Sequence, residues 1–76
     1  MDYKAFFHDV GLWMDESNEQ LKQYSLFARE YWDWVMRSTS LLCDKYDNHP
    51  LVMRQVKMLY QYQEALYLKY KDVNGP

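Results

Sequence analysis

Two histidines and one cysteine are the side chains in this 76-residue chain best suited to nucleophilic, acid–base or metal chemistry, and their spacing assembles no site. His8 and His49 stand far apart, and neither Cys-x-x-Cys nor His-x-x-x-His occurs, so the spacing that brings ligands to a metal is missing. Cys43, beside Leu41 and Leu42, falls midway along an expected helix. A packed, inert thiol belongs there, away from the positive surroundings that lower a thiol pKa. Asp47 with His49 has the composition of an acid–base pair, but directly before Pro50 His49 reads as a cap or turn residue. His8 and Asp9 are sequence neighbours that face different directions on a helix. The two glycines, Gly11 and Gly75, build no phosphate-binding loop. The expectation is a non-enzymatic protein with no catalytic residue, metal ligand or cofactor.

Charge weighs against a nucleic-acid binder. The net charge is −2, where dedicated binders carry a strongly basic face, and it is too mild for a uniformly acidic mimic of DNA. It is also unevenly placed. Asp2, Asp9, Asp15, Glu16 and Glu19 stand against Lys4 in residues 1–20, whereas Arg54, Lys57, Lys69 and Lys71 stand against Glu64 further on. That polarity suits head-to-tail or antiparallel packing, or steering toward a charged partner. The segment from Arg54 to Tyr62 mixes basic and aromatic residues, the types that pair phosphate contacts with base stacking. A nucleic-acid contact through Arg54, Lys57 and the neighbouring tyrosines is nonetheless the weakest reading, because a helical seam claims the aromatics first.

The elements that position these residues are all expected to be helices. Tyr3, Phe7, Val10 and Met14 form a stripe at helical spacing, flanked by Phe6 and Trp13, so a first, short helix is expected from Tyr3 to Met14 with Asp2 as N-cap. Gly11 inside it costs about 1 kcal/mol relative to Ala and could bend or end it. Ser17-Asn18-Glu19-Gln20 fits a capping box, which would open a second helix. Leu21, Tyr24, Ala28, Tyr31, Val35, Ser38 and Leu42 then keep a three–four alternation, with Phe27, Trp34 and Leu41 as a second apolar row. No breaker intervenes before Asp47-Asn48-His49-Pro50, so this helix should span nearly thirty residues, about 40 Å. Pro50 suits the first turn of a third helix, capped by Asn48 or His49 and running from Leu51 to Asp72. Its seam is Val52, Val56, Leu59, Gln63, Leu66, Tyr70 and Val73, and Asn74-Gly75-Pro76 should stop it. The fold expected is all-α: a single domain over residues 1–76, a small three-helix bundle of one short and two long helices, the long pair an antiparallel hairpin.

Composition then asks for a partner. A domain this small buries only about 60% of its unfolded surface. One cysteine allows no intrachain disulfide, so oligomerisation or a larger partner is the expected supplement. Aromatics are 18% of residues, among them eight tyrosines and three tryptophans, more ring surface than three helices can hide. Tyr, Trp and Met are the types enriched at interface cores. A homodimer closing into a four-helix-like core is expected, with Gln63 fixing its register and Trp34 among the partner-binding residues. No apolar run is long enough to span a bilayer, and Met1-Asp2-Tyr3-Lys4 opens no secretory signal. With a lone thiol, the expected location is the cytoplasm, a host's if the protein is viral.

One segment suggests which partner. Gln23-Tyr24-Ser25-Leu26-Phe27 resembles the pentapeptide by which bacterial replication proteins dock on the DNA polymerase sliding clamp: Gln, any residue, Ser or Asp, Leu, Phe. Leu26 and Phe27 would be the apolar anchors, Gln23 the paired donor and acceptor at the pocket mouth, and Ser25 the orienting residue. Such peptides are usually extended or in flexible tails, whereas this match falls two turns into the expected second helix. There Gln23, Leu26 and Phe27 would still share a face. The resemblance covers five residues. A small free-standing domain holding it is similar to phage proteins that seize host replication factors, and it implies a clamp-binding inhibitor of DNA replication. The acidic stretch from Asp9 to Glu19 offers another route, to the basic lining of the ring's DNA channel. The alternative is a helical homodimer serving a structural or regulatory role in another complex of a phage or mobile element.

Overall fold

A computed structural model describes the backbone of residues 1–73 and side chains as far as Lys71. The described residues form three α-helices and no strand: α1, Tyr3–Gln23; α2, Arg29–Lys45; and α3, Pro50–Val73. The expected stop at Asn74-Gly75-Pro76 and the last seam side chain, Val73, lie outside the described residues.

Helix α1 starts as its sequence dictates, with Asp2 Oδ1 accepting from the Ala5 backbone N–H at 3.0 Å. It does not stop at Met14. The helix passes through Gly11 and Ser17 to Gln23, 21 residues in all. Ser17 is not a cap: it is 1% exposed, and its hydroxyl donates to the Met14 carbonyl at 2.7 Å. A serine that bonds back within its own helix satisfies its hydroxyl without interrupting the ladder. The buried stripe is Phe6, Trp13 and Ser17, with Val10 half-buried between them. Tyr3 and Phe7, expected on the core face, are exposed.

The continuous second helix is likewise corrected. The chain leaves helical geometry at Tyr24 (φ −122°, ψ 154°) and re-enters at Arg29 after Ala28 (φ −80°, ψ 138°). Helix α2 is therefore 17 residues and the shortest of the three, not one of a long pair. Of the second apolar row, Trp34 is buried, whereas Phe27 and Leu41 are exposed. The next connection follows the sequence more closely. Asp47 and Asn48 take left-handed conformations (φ 52° and 55°), which Asp and Asn tolerate better than most residues. The Asn48 N–H satisfies the Cys43 carbonyl at 2.9 Å. His49 Nδ1 accepts from the Leu51 N–H at 3.2 Å, and Pro50 opens α3.

The core consists of two clusters. Phe6, Leu42 and Val52 pack at one end; Trp13, Tyr31, Trp34, Val35 and Leu59 form the larger one, and Val10 packs against both. Pairings between α1 and α2 follow a descending register: Asp9 meets Lys45, Trp13 meets Ser38, and Glu16 meets Trp34. Between α2 and α3, Tyr31 meets Gln63 and Leu42 shares a cluster with Val52. Gln63 is 2% exposed and its Oε1 accepts from the Tyr31 hydroxyl at 2.6 Å, so this polar break in the seam is matched within the chain. The seam is deepest at Val52, Leu59 and Gln63 and opens toward Tyr70, which is 44% exposed.

Candidate functional site

The clamp-like pentapeptide spans the end of α1 and the connection to α2, not the interior of a helix. Its conformation is held locally. The Ser25 hydroxyl accepts from the Phe27 N–H at 3.0 Å, and the Ser25 carbonyl accepts from the Ala28 N–H at 2.9 Å. These bonds make a tight turn in which a serine side chain mimics a backbone acceptor. The loop is then tied down from α2: the Trp32 indole N–H donates to the Leu26 carbonyl at 2.8 Å.

That turn divides the five side chains between solvent and core. Gln23 is exposed, with its amide donating to the Tyr24 hydroxyl at 3.4 Å, and Ser25 is exposed as well. Leu26 is half-buried and packs on the cluster of Trp13, Tyr31 and Trp34. Phe27 is 45% exposed, with its ring edge-on to Tyr67 at 5.3 Å. Gln23, Ser25 and Phe27 are each exposed while Leu26 anchors the loop, but Gln23 borders Glu30, Trp34 and Arg37 whereas Phe27 lies against Tyr67. Trp34, counted with them in the sequence, belongs elsewhere. It is 8% exposed, stacks on Trp13 at 5.1 Å and donates its indole N–H to Glu16 at 3.3 Å. Its role is to join α1 to α2.

Of the side chains with chemical potential, His49, Cys43 and Asp9 are taken up structurally, whereas His8 is exposed. His49 caps α3. Cys43 is half-buried, and burial together with the neighbouring Asp44 pushes its thiol up, away from the reactive thiolate. Asp9 accepts from Lys45 Nζ at 2.7 Å and from the Tyr46 hydroxyl at 2.6 Å. The Lys45 and Tyr46 hydrogen bonds hold Asp9 below its usual range, and the bond to Asp9 pushes Tyr46 up to about 12. Among the described residues, no three His, Cys, Asp or Glu side chains gather as a metal cage, and no helix is long and apolar enough to cross a membrane. In the Arg54–Tyr62 segment, Leu59 enters the core and Tyr60 packs on Trp32, while Arg54 and Lys57 are exposed.

Sequence reasoning missed one grouping. Phe27, Trp32, Tyr60, Glu64 and Tyr67 line a shallow open pocket of about 300 Å³ between the loop and α3. Tyr60, Glu64 and Tyr67 are spaced four and three apart and so share a helix face, a signal present in the chain. Trp32 and Phe27 join them only through the fold. No protein-family model matches the chain, and no curated protein or solved structure is similar enough to count as a match.

Proposed function

We propose that this chain is a non-enzymatic protein–protein interaction module that engages a bacterial DNA polymerase sliding clamp through its α1–α2 loop and so blocks replication, in the manner of small phage proteins. The observation that carries this reading is the position of the pentapeptide. Gln23 ends α1, and Ser25 and Phe27 stand exposed in the non-helical turn that follows, so docking in extended form needs the turn from Ser25 to Ala28 to open. Leu26 would have to leave its half-buried seat to reach a clamp pocket, at the cost of its contacts with the aromatic core. The reading places the protein in the cytoplasm of a bacterial host and treats α2 and α3 as an antiparallel hairpin that supports the loop.

The test is titration of the purified chain against a purified bacterial clamp by calorimetry. Because Leu26 supports the core, the informative substitutions are at the exposed positions. Gln23→Ala and Phe27→Ala should each weaken binding by about 30-fold, the effect of losing a contact worth about 2 kcal/mol, with unchanged circular dichroism melts. A chain that ignores the clamp, or binds it equally well after both changes, ends this reading.

A second reading is a homodimer with a structural or regulatory role in another complex. The exposed side chains of Tyr3 and Phe7 on α1 and of Met58 and Tyr62 on α3 favour it, since apolar surface of this kind is what a second copy would cover. Sedimentation equilibrium decides it: a concentration-independent monomer mass rejects the dimer.

A further inference from the structure

We propose that the open pocket lined by Phe27, Trp32, Tyr60, Glu64 and Tyr67 binds a methylated ammonium group. Its walls are aromatic and set at steep angles. Trp32 meets Tyr60 at 68° and Tyr67 at 83°, and Phe27 meets Tyr67 at 62°, with centroids 5.3–5.9 Å apart. The rings pack edge to face on one another and together border one open space of about 300 Å³. The Trp32 wall is held in place by its indole bond to the Leu26 carbonyl.

Charge specifies the ligand. The face of an aromatic ring attracts a cation within about 6 Å of its centroid. Tyr67 already has a cation near its ring, Lys71 Nζ at 6.0 Å from the centre, although Lys71 does not line the pocket. Glu64 adds a carboxylate to the lining and makes no ion pair among the described residues. A bare ammonium is strongly hydrated and loses its water at a cost on entering such a pocket. Methylation removes the N–H donors that hold that water while keeping the positive charge. An aromatic pocket with a single carboxylate therefore selects the methylated form. The site stands independently of the clamp reading, although Phe27 belongs to both.

The experiment is an NMR titration of the full chain, following the aromatic resonances of Trp32, Tyr60 and Tyr67, with choline and with its neutral carbon isostere 3,3-dimethylbutanol. Choline is expected to bind saturably and roughly 2- to 30-fold more tightly than the isostere, the range of a cation–π contribution. Glu64→Gln should weaken choline several-fold and leave the isostere unchanged. A trimethyl-lysine peptide and its unmethylated counterpart give a further arm. Tighter binding of the methylated peptide than of choline supports a modified protein as the source, and the reverse order supports a small quaternary amine. Equal binding of choline and the isostere overturns the proposal. So does the absence of any saturable shift.

Discussion

Tyr31 and Gln63 form the one buried side-chain hydrogen bond between α2 and α3 among the described residues, at 2.6 Å. Removing one partner strands the other. Tyr31→Phe should cost about 1–3 kcal/mol by leaving the Gln63 oxygen without a donor, whereas adding Gln63→Leu should recover part of that loss. Denaturant unfolding of the two single variants and the double variant measures the coupling. Asp9 and Tyr46 set a pH window at the same scale. Asp9 is held below its ordinary value, so its contribution is present above the unfolded carboxyl range and is lost as pH falls through the folded value. Tyr46 is pushed up to about 12, so its contribution is complete below the unfolded tyrosine value near 10 and is lost as pH rises through about 12. Unfolding curves measured across the acid and alkaline limbs should flatten on both sides in Asp9→Asn. An unchanged acid limb would mean that the cluster contributes nothing to folding.

Helix α1 carries a cost that its surroundings do not require. A Cβ placed on Gly11 would meet no atom within 4 Å outside its own helical backbone, and the residue is exposed. Gly11→Ala should therefore stabilise the protein by about 0.5–1 kcal/mol, seen as a higher melting temperature. A destabilised Gly11→Ala chain would show that something uses the space beside α1. The start of α2 is weak for a related reason. Ala28 sits at the N-cap with no side-chain acceptor to offer, so no capping signal marks the boundary in the sequence.

A folded chain of 76 residues has a stability of roughly 4–11 kcal/mol, so the loss of one large core contact consumes much of the margin. Trp34 is such a contact: it stacks on Trp13, touches Tyr31 and bonds to Glu16. Trp34→Ala should cost about 3–5 kcal/mol and leave a large unfolded fraction at moderate temperature, whereas Phe27→Ala should melt close to the parent. Thermal melts of the two variants separate the residue that builds the molecule from the residue that it displays.

The sequence alone determined whatever depends on neighbours a few positions away. Asp2 before α1 and His49-Pro50 before α3 were legible because capping and the fixed φ of proline are local effects. The helical character of all three elements followed from the period of their apolar residues. Tertiary packing decided the rest. Ser17 has the residue type of a cap, and only its burial in the bundle turned its hydroxyl back onto the Met14 carbonyl. Tyr24 to Ala28 contains neither Gly nor Pro, and its one local turn signal, Ser25, is weak. The break is held by Trp32, which donates to the Leu26 carbonyl, and by Leu26 packing on a core cluster that includes Trp13, a contact that exists only once α1 and α2 lie side by side. That Gln23 ends a helix while Ser25 and Phe27 lie in a loop was settled at that level, because two helices can bury their stripes against each other only if the chain between them turns.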